Sequence, residues 1–104
     1  LKNKGGNVHV GVMEVVLRLE GNASLKGKRK VVKSILGRVK ARFNVAASEV
    51  GQQDTYELAV LGFSVCGPER RILNTVLDNV LDFIEDNADA EVVDSQMEFD
   101  LFFG

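Results

Sequence analysis

The chain is poor in several residue types, and each shortage excludes a class of structure or function. A single cysteine, Cys66, can form no internal disulfide, so nothing indicates an oxidising compartment. One histidine and no Cys-x-x-Cys pair supply no ligand set for zinc, and no phosphate-loop motif is present, so we expect no metal and no cofactor. The unbroken apolar runs are far shorter than the roughly 20 residues of a membrane helix. These features predict a cytoplasmic protein with no membrane partner.

The charges that are present are divided unevenly along the chain. The formal net charge is only −2 over 104 residues, and a hydrophobic fraction of 45% is typical of one globular domain. Residues 1–43 contain 11 Lys/Arg against two acids, Glu14 and Glu20, whereas residues 44–104 contain only Arg70 and Arg71 against 13 acids. The first part of the chain is therefore strongly basic and the second strongly acidic.

Hydrophobic periodicity predicts an alternation of strands and helices. The predicted elements are a strand over 8–19, a helix over 25–43, strands over 45–50 and 56–66, a helix that starts at Pro68 with an apolar stripe to Ile84, and a strand over 91–103. This order predicts an α+β, ferredoxin-like βαββαβ sandwich. Its four-stranded antiparallel sheet has the order 4-1-3-2, and both helices lie on one face. We expect a flexible N-terminal arm over 1–7 and a single domain over 8–104.

Several short motifs together resemble one known family. Ser24 to Ser34 reads SLKGKRKVVKS, and it is followed by RFNV at 42–45 and by Glu49-Val50. With LG at 61–62, CG at 66–67 and AEVVD at 90–94, this pattern resembles the YlxP-like family of uncharacterised bacterial proteins across nearly the whole chain from Val8. The resemblance implies a ferredoxin-like fold and a cytosolic protein. It also implies a link to translation, because family members are often encoded beside initiation and ribosome-maturation factors. It implies no established activity.

One position departs from the pattern that the resemblance implies. The family is expected to place a glutamate where this chain has Gly27. That glutamate would complete a capping box with Ser24, the predicted N-cap. Its absence predicts a first helix whose start is less firmly held.

The first predicted helix is a candidate nucleic-acid-binding element. Residues 24–43 contain eight Lys/Arg and no acid, and lysines in a first turn oppose the helix dipole unless an anion is bound there. The candidate contacts to RNA or the ribosome are Ser24, Lys26, Lys28, Arg29, Lys30, Lys33 and Lys40. Arg38 and Arg42 fall on the other flank of the apolar stripe. Such contacts would be salt-dependent and independent of base sequence.

The basic helix also has a purely structural interpretation. The antiparallel arrangement of the two helices brings the start of the first towards the end of the second, where Asp82, Glu85, Asp86 and Asp89 also oppose their own dipole. The two sets could neutralise each other within the molecule or between subunits. The alternative function is therefore an oligomeric regulatory or scaffold domain with no nucleic-acid partner.

An enzymatic function has only weak support in the sequence. Antiparallel pairing of the first and third strands brings Cys66 near His9, but no third residue is placed to orient the pair, and a buried structural cysteine is the more common case. We expect no catalytic residue and no enzyme. Tyr56 and Phe63, the aromatic residues of the third strand, have opposite phases, so they form no base-stacking platform on the sheet.

The strands are apolar in both phases, although helices cover one face only. If Met13, Val15, Leu17, Ala59, Leu61 and Phe63 face the helices, then Val8, Val10, Val12, Val16, Leu58 and Val60 face outward. Glu14 and Arg18 share this outward phase and would form its polar rim. An exposed apolar cluster usually marks an interface, and a two-fold pair is its commonest form. The sequence therefore predicts a homodimer through the uncovered sheet face.

Overall fold

The strands and helices follow one another in the predicted order. The computed structural model describes residues 4–87 and 89–104. Its elements there are β1 (Val8–Arg18), α1 (Leu25–Arg42), β2 (Ala46–Gly51), β3 (Leu58–Gly67), α2 (Arg70–Asn87) and β4 (Glu91–Phe102). Two predicted elements begin two residues later than expected. Because β3 begins at Leu58, Tyr56 lies in the preceding loop, and because α2 begins at Arg70, Pro68 precedes the helix.

All the strand pairs of the sheet are antiparallel, and its order is β2-β3-β1-β4. This is the predicted order read from the opposite edge, and the α+β class is confirmed. The central strand β1 places Met13 opposite Phe63 of β3 on one side and Met97 of β4 on the other. The register of β1 with β4 shifts after Val16, where Val93 is the additional residue. The bulge therefore lies near the end of β1 and leaves the phase of the rest of that strand intact.

The core lies between one face of the sheet and both helices. Alternate residues of β1 and β3 point to this face, as the period of a strand requires. All six residues predicted to face the helices are at most 1% exposed, which confirms the assignment of phase. One cluster joins them to Val32, Ile35 and Val39 of α1 and to Leu77, Val80 and Ile84 of α2. The opposite face of the sheet carries no helix in the part of the chain that is described.

The start of α1 is fixed by a loop side chain in addition to its N-cap. Ser24 Oγ accepts a hydrogen bond from the Gly27 backbone N–H at 3.0 Å, so half of the capping box is present. A Cβ atom at Gly27 would overlap Oδ1 of Asn22. Asn22 Nδ2 donates to the backbone oxygens of Ser24 at 2.8 Å and Tyr56 at 2.7 Å. The glycine therefore leaves room for Asn22 to link the helix start to the loop before β3.

Two glycines of α1 should respond in opposite ways to the same substitution. Gly37 is exposed in the helix interior and has nothing near its missing Cβ, so Gly37→Ala should raise the free energy of unfolding by about 0.5–1 kcal/mol. Gly27→Ala should lower it by up to about 0.5 kcal/mol, because the new methyl displaces the Asn22 amide and the loss of its two hydrogen bonds outweighs the gain in helix propensity. Urea unfolding of both variants measures the difference. A stabilising Gly27→Ala would contradict this role of Asn22.

Candidate nucleic-acid interface

One face of α1 carries several exposed cations. Its members are Lys26, Arg29, Lys30, Lys33 and Lys40, which we call the basic face. All five are exposed, and the ion pairs found within residues 4–87 and 89–104 include none of them. Gly37 lies on the same face, between Lys33 and Lys40. Ser24, the N-cap, is also exposed, although its hydroxyl already accepts the Gly27 N–H.

Lys28 does not belong to this surface, so the prediction that it contacts RNA was wrong. Its side chain is 1% exposed, which is the burial of a core residue. Nζ donates to the backbone oxygens of Gln52 and Thr55, the latter at 2.9 Å, and lies 3.1 Å from Glu49 Oε2. Lysines are almost never fully buried unless they are paired in this way. Lys28 therefore anchors the β2–β3 connection to α1 and cannot reach a phosphate.

Both members of this buried pair could have been found from sequence spacing. Lys28 stands four residues before Val32 and on the same stripe as Ile35 and Val39, which places it in the middle of the apolar face. Glu49 has the inward phase of β2. The Glu49 Oε2 atom makes no well-aligned hydrogen bond among the described atoms. Its contact with Lys28 is therefore an ion pair. A cation and an acid at two inward positions indicate a structural pair.

The two arginines on the other flank of α1 are bound to α2. Arg38 Nη1 donates to the backbone oxygen of Asn87 at 2.8 Å, a carbonyl at the end of α2 where a cation complements the helix dipole. The Arg42 guanidinium lies 5.2 Å from the centre of the Phe83 ring, and Phe43 meets the same ring edge-on. These contacts separate both arginines from the basic face.

Four acids lie in the last turns of α2 and just after it. Asp82, Glu85, Asp86 and Asp89 are exposed, and no ion pair joins them to a cation of α1 in the part of the chain that is described. The end of α2 lies against the second half of α1, where Arg38 donates to Asn87 O and Phe43 meets Phe83. The expectation that these acids approach the start of α1 within one molecule is therefore wrong. Neutralisation between subunits remains a prediction.

Comparison with known proteins shows the family of the chain. The model of a family described as proteins of unknown function, DUF503, matches residues 10–97. The chain belongs to the DUF503 family. A relative named "Uncharacterized protein YlxP", from Bacillus subtilis (strain 168), is 38% identical over 76 residues, which are 73% of this chain and 83% of that protein. The predicted family resemblance is confirmed. The segment that matches the DUF503 family contains the whole basic face and the Lys28–Glu49 pair.

The single cysteine of this DUF503 domain is exposed, so the prediction of a buried cysteine was wrong. Cys66 lies opposite Val10 on the uncovered face of the sheet, whereas His9 pairs with Gly67 and has the opposite phase. Side chains that alternate along a strand point to opposite faces, so the thiol and the imidazole are separated by the sheet. Elsewhere in the described ranges, no group of three His, Cys, Asp or Glu could hold a metal ion.

The exposure of Cys66 has a direct chemical consequence. In the native state a thiol reagent should modify Cys66 at a rate within about tenfold of the unfolded chain, and Cys66→Ala should change stability by less than about 0.5 kcal/mol. Absorbance from the released leaving group, with and without urea, measures both rates. Strong native protection at nanomolar protein concentration would contradict the exposed position.

The uncovered sheet face contains the six predicted outward residues and two more large apolar residues that the sequence analysis missed. Its β4 side is acidic, because Asp100, Glu98 and Asp94 lie opposite Val10, Val12 and Val16. Val8 and Val12 are exposed, and Val10, Val16, Leu58 and Val60 are half-buried. Val50 of β2 and Phe102 of β4 add exposed fractions of 54% and 44%. The expected rim is already paired within the chain, because Gln96 Nε2 donates to Glu14 Oε1 at 3.2 Å and Arg18 lies 3.8 Å from Glu91.

No helix of the described ranges of this DUF503 member combines the length and the hydropathy that a membrane span requires. The two helices instead divide their residues between the core cluster and the surface. The candidate sites of the domain are therefore the basic face of α1 and the uncovered face of the sheet.

Proposed function

We propose that this domain is a non-enzymatic, ferredoxin-like binding module that contacts the sugar-phosphate backbone of RNA, free or in the ribosome, through the basic face of α1. One observation supports the proposal above all. Five cations of α1 are exposed and unpaired within residues 4–87 and 89–104, whereas Lys28, Arg38 and Arg42 are engaged with other parts of the protein.

The position of the cations in α1 supports an anionic ligand. Lys26 lies in the first turn, where a positive charge is unfavourable against the helix dipole unless an anion is near. From Lys26 to Lys40 the basic face extends about 21 Å along the helix axis, at 1.5 Å per residue. Gly37 has open space above it, so a ligand backbone can approach the helix closely there. A polyanion laid along α1 would meet all of these features.

The expected interaction positions a nucleic acid without reading its sequence. Contacts between Lys/Arg side chains and phosphate oxygens fix orientation, and they carry no base information. Their free energy comes largely from counterions released by the nucleic acid, so affinity falls as the salt concentration rises. These contacts by themselves should therefore bind many RNA sequences with similar strength.

A pull-down from cell lysate tests the proposal. The tagged domain should recover RNA or ribosomal particles at low salt, and nuclease treatment or 0.5 M salt should release them, because the contacts are to phosphate. A recovered set of molecules that is the same with and without nuclease would contradict RNA as the partner. Recovery of the domain alone would favour the alternative below.

The alternative function, an oligomeric scaffold or regulatory domain, is favoured by the shape of the uncovered sheet face. Val12 and Val50 project beside a hollow of about 290 Å³ that is lined in part by Gly62 and Ser64. A two-fold contact needs a projection and a recess on one surface, and this face has both. Four strands about 4.8 Å apart and about ten residues long offer roughly 600 Å² per copy, near the lower end for specific pairs. The occupant that we propose is a second copy of this chain.

The dimer is tested by its response to a single charge. Val12→Asp places a carboxylate in the middle of the proposed contact, so it should shift a wild-type dimer to monomer at micromolar concentration. Light scattering measures the mass, and circular dichroism of the same sample verifies that the fold is retained. Val93→Asp is the matched control, because Val93 is also exposed but lies at the β4 bulge. A monomeric wild type would reject the interface.

A further inference from the structure

An open cleft lies before the start of α1, between two loops that the sheet topology brings together. Residues 21–23 of the β1–α1 connection form one wall, and residues 54–57 of the β2–β3 connection form the other. The cleft has a volume of about 710 Å³. It is not part of the basic face, and the proposed phosphate contacts do not use it.

Hydrogen bonds hold the cleft in a fixed position relative to the first turn of α1. Asn22 Nδ2 donates both to Ser24 O, at the N-cap of α1, and to Tyr56 O, in the opposite wall. The wall is held further by Lys28, which donates to Thr55 O at 2.9 Å, and by the Leu19 N–H, which donates to Glu57 O at 2.8 Å. A ligand that bound here would find the backbone of both walls already ordered, which lowers the entropy lost on binding.

The side chains of the second wall suit a nucleobase better than a phosphate. Tyr56 is 51% exposed, so a face of its ring is available for stacking. Asp54 and Glu57 are exposed on the same wall, and their carboxylates repel phosphate but accept hydrogen bonds from the amino group of a base. Phosphates are therefore directed to the cations of α1 and an unpaired base to the cleft.

We propose that the cleft binds one unpaired nucleobase that carries an exocyclic amino group, stacked on Tyr56, while the neighbouring phosphates contact the basic face. The inference rests on the proposed function and makes it more specific, because it selects single-stranded over double-stranded RNA. A base inside a duplex is stacked and paired, so it cannot enter the cleft.

The chain has one tyrosine, so Tyr56 reports on its own site. In protein labelled at tyrosine, a single-stranded oligocytidylate should move the ring resonances of Tyr56 upfield. A duplex RNA of equal length should bind through the basic face without this shift. Oligocytidylate should bind more tightly than oligouridylate, because uracil presents a carbonyl where cytosine presents an amino group.

Two substitutions separate stacking from the other contacts. Tyr56→Ala should weaken oligocytidylate binding about tenfold, with an unchanged salt dependence and an unchanged affinity for duplex RNA. Tyr56→Phe keeps the ring and should bind like the wild type. Two results would contradict base binding in the cleft and leave the proposed function intact. Oligocytidylate would bind without moving the Tyr56 resonances, or it would bind Tyr56→Ala as tightly as the wild type. A wild type that binds no RNA would overturn both.

Discussion

Replacing Lys26, Arg29, Lys30 and Lys33 together with glutamine is expected to weaken RNA binding by about 10²–10³-fold at 0.1 M salt. Each phosphate contact to a single strand releases about 0.7 of a counterion, which is worth about 1 kcal/mol at this concentration. The four side chains are exposed and unpaired among the described residues, so the fold loses no ion pair when they change. Fluorescence anisotropy of a labelled oligomer measures the affinity.

The control for this variant changes charge elsewhere on the surface. Arg70→Gln with Arg71→Gln removes two cations from the first turn of α2, where Arg71 pairs with Glu69 and Arg70 lies over the Phe99 ring. This pair should alter affinity by less than about threefold, because it acts on the basic face only through the distant field of the protein. An equal loss in both variants would indicate net charge rather than a specific face. A lower thermal stability with unchanged affinity in the fourfold variant would show that the basic face is structural.

Lys28→Met is expected to lower the free energy of unfolding by about 2–4 kcal/mol. The substitution leaves the Glu49 carboxylate without its cation and the backbone oxygens of Gln52 and Thr55 without their donor. The Glu49 side chain is 20% exposed, so water recovers part of the loss and the effect falls below that of a fully buried pair. Urea unfolding measures the change.

A double-mutant cycle isolates the ion pair from the carbonyl contacts. Glu49→Gln in the Lys28→Met background should restore part of the lost stability, because the unpaired charge is then removed. The affinity of Lys28→Met for duplex RNA, which contacts the basic face alone, should equal that of the wild type below its unfolding temperature. A destabilisation of less than about 0.5 kcal/mol, or a loss of duplex affinity in a folded Lys28→Met variant, would contradict the anchoring role.

The sheet and its covered face could be predicted because both follow from regular periods. Alternation along β1 placed Met13, Val15 and Leu17 towards the helices, and all three are fully buried. The same reasoning would have placed Cys66 outward, since Ala59, Leu61 and Phe63 fix the opposite phase on β3. The prediction of a buried cysteine rested instead on the high frequency with which free cysteines are buried in proteins. The alternation of side chains along β3 predicts the exposure of Cys66 correctly.

The cleft could not be predicted, because it depends on contacts between loops that have no period. Asn22 and Tyr56 are 34 residues apart, and the hydrogen bond between them depends on the side-chain direction of one residue in a turn. The apolar pattern predicts a strand that begins at Tyr56. In the structure Tyr56 lies in the loop before β3, so it takes no part in the pairing of the strands. From the sequence, Gly27 indicates only that a capping glutamate is missing. Its role of admitting Asn22 is visible only in the structure.

The salt dependence of RNA binding tests the central claim most directly. For the wild type, the logarithm of the association constant plotted against the logarithm of salt concentration should have a slope of about −3 to −4, because five cations of α1 each neutralise a phosphate of a single strand. The fourfold glutamine variant should have a slope of about −1. A wild-type slope near zero, or one that the fourfold variant shares, would contradict the assignment of the basic face of α1 as the RNA-binding surface.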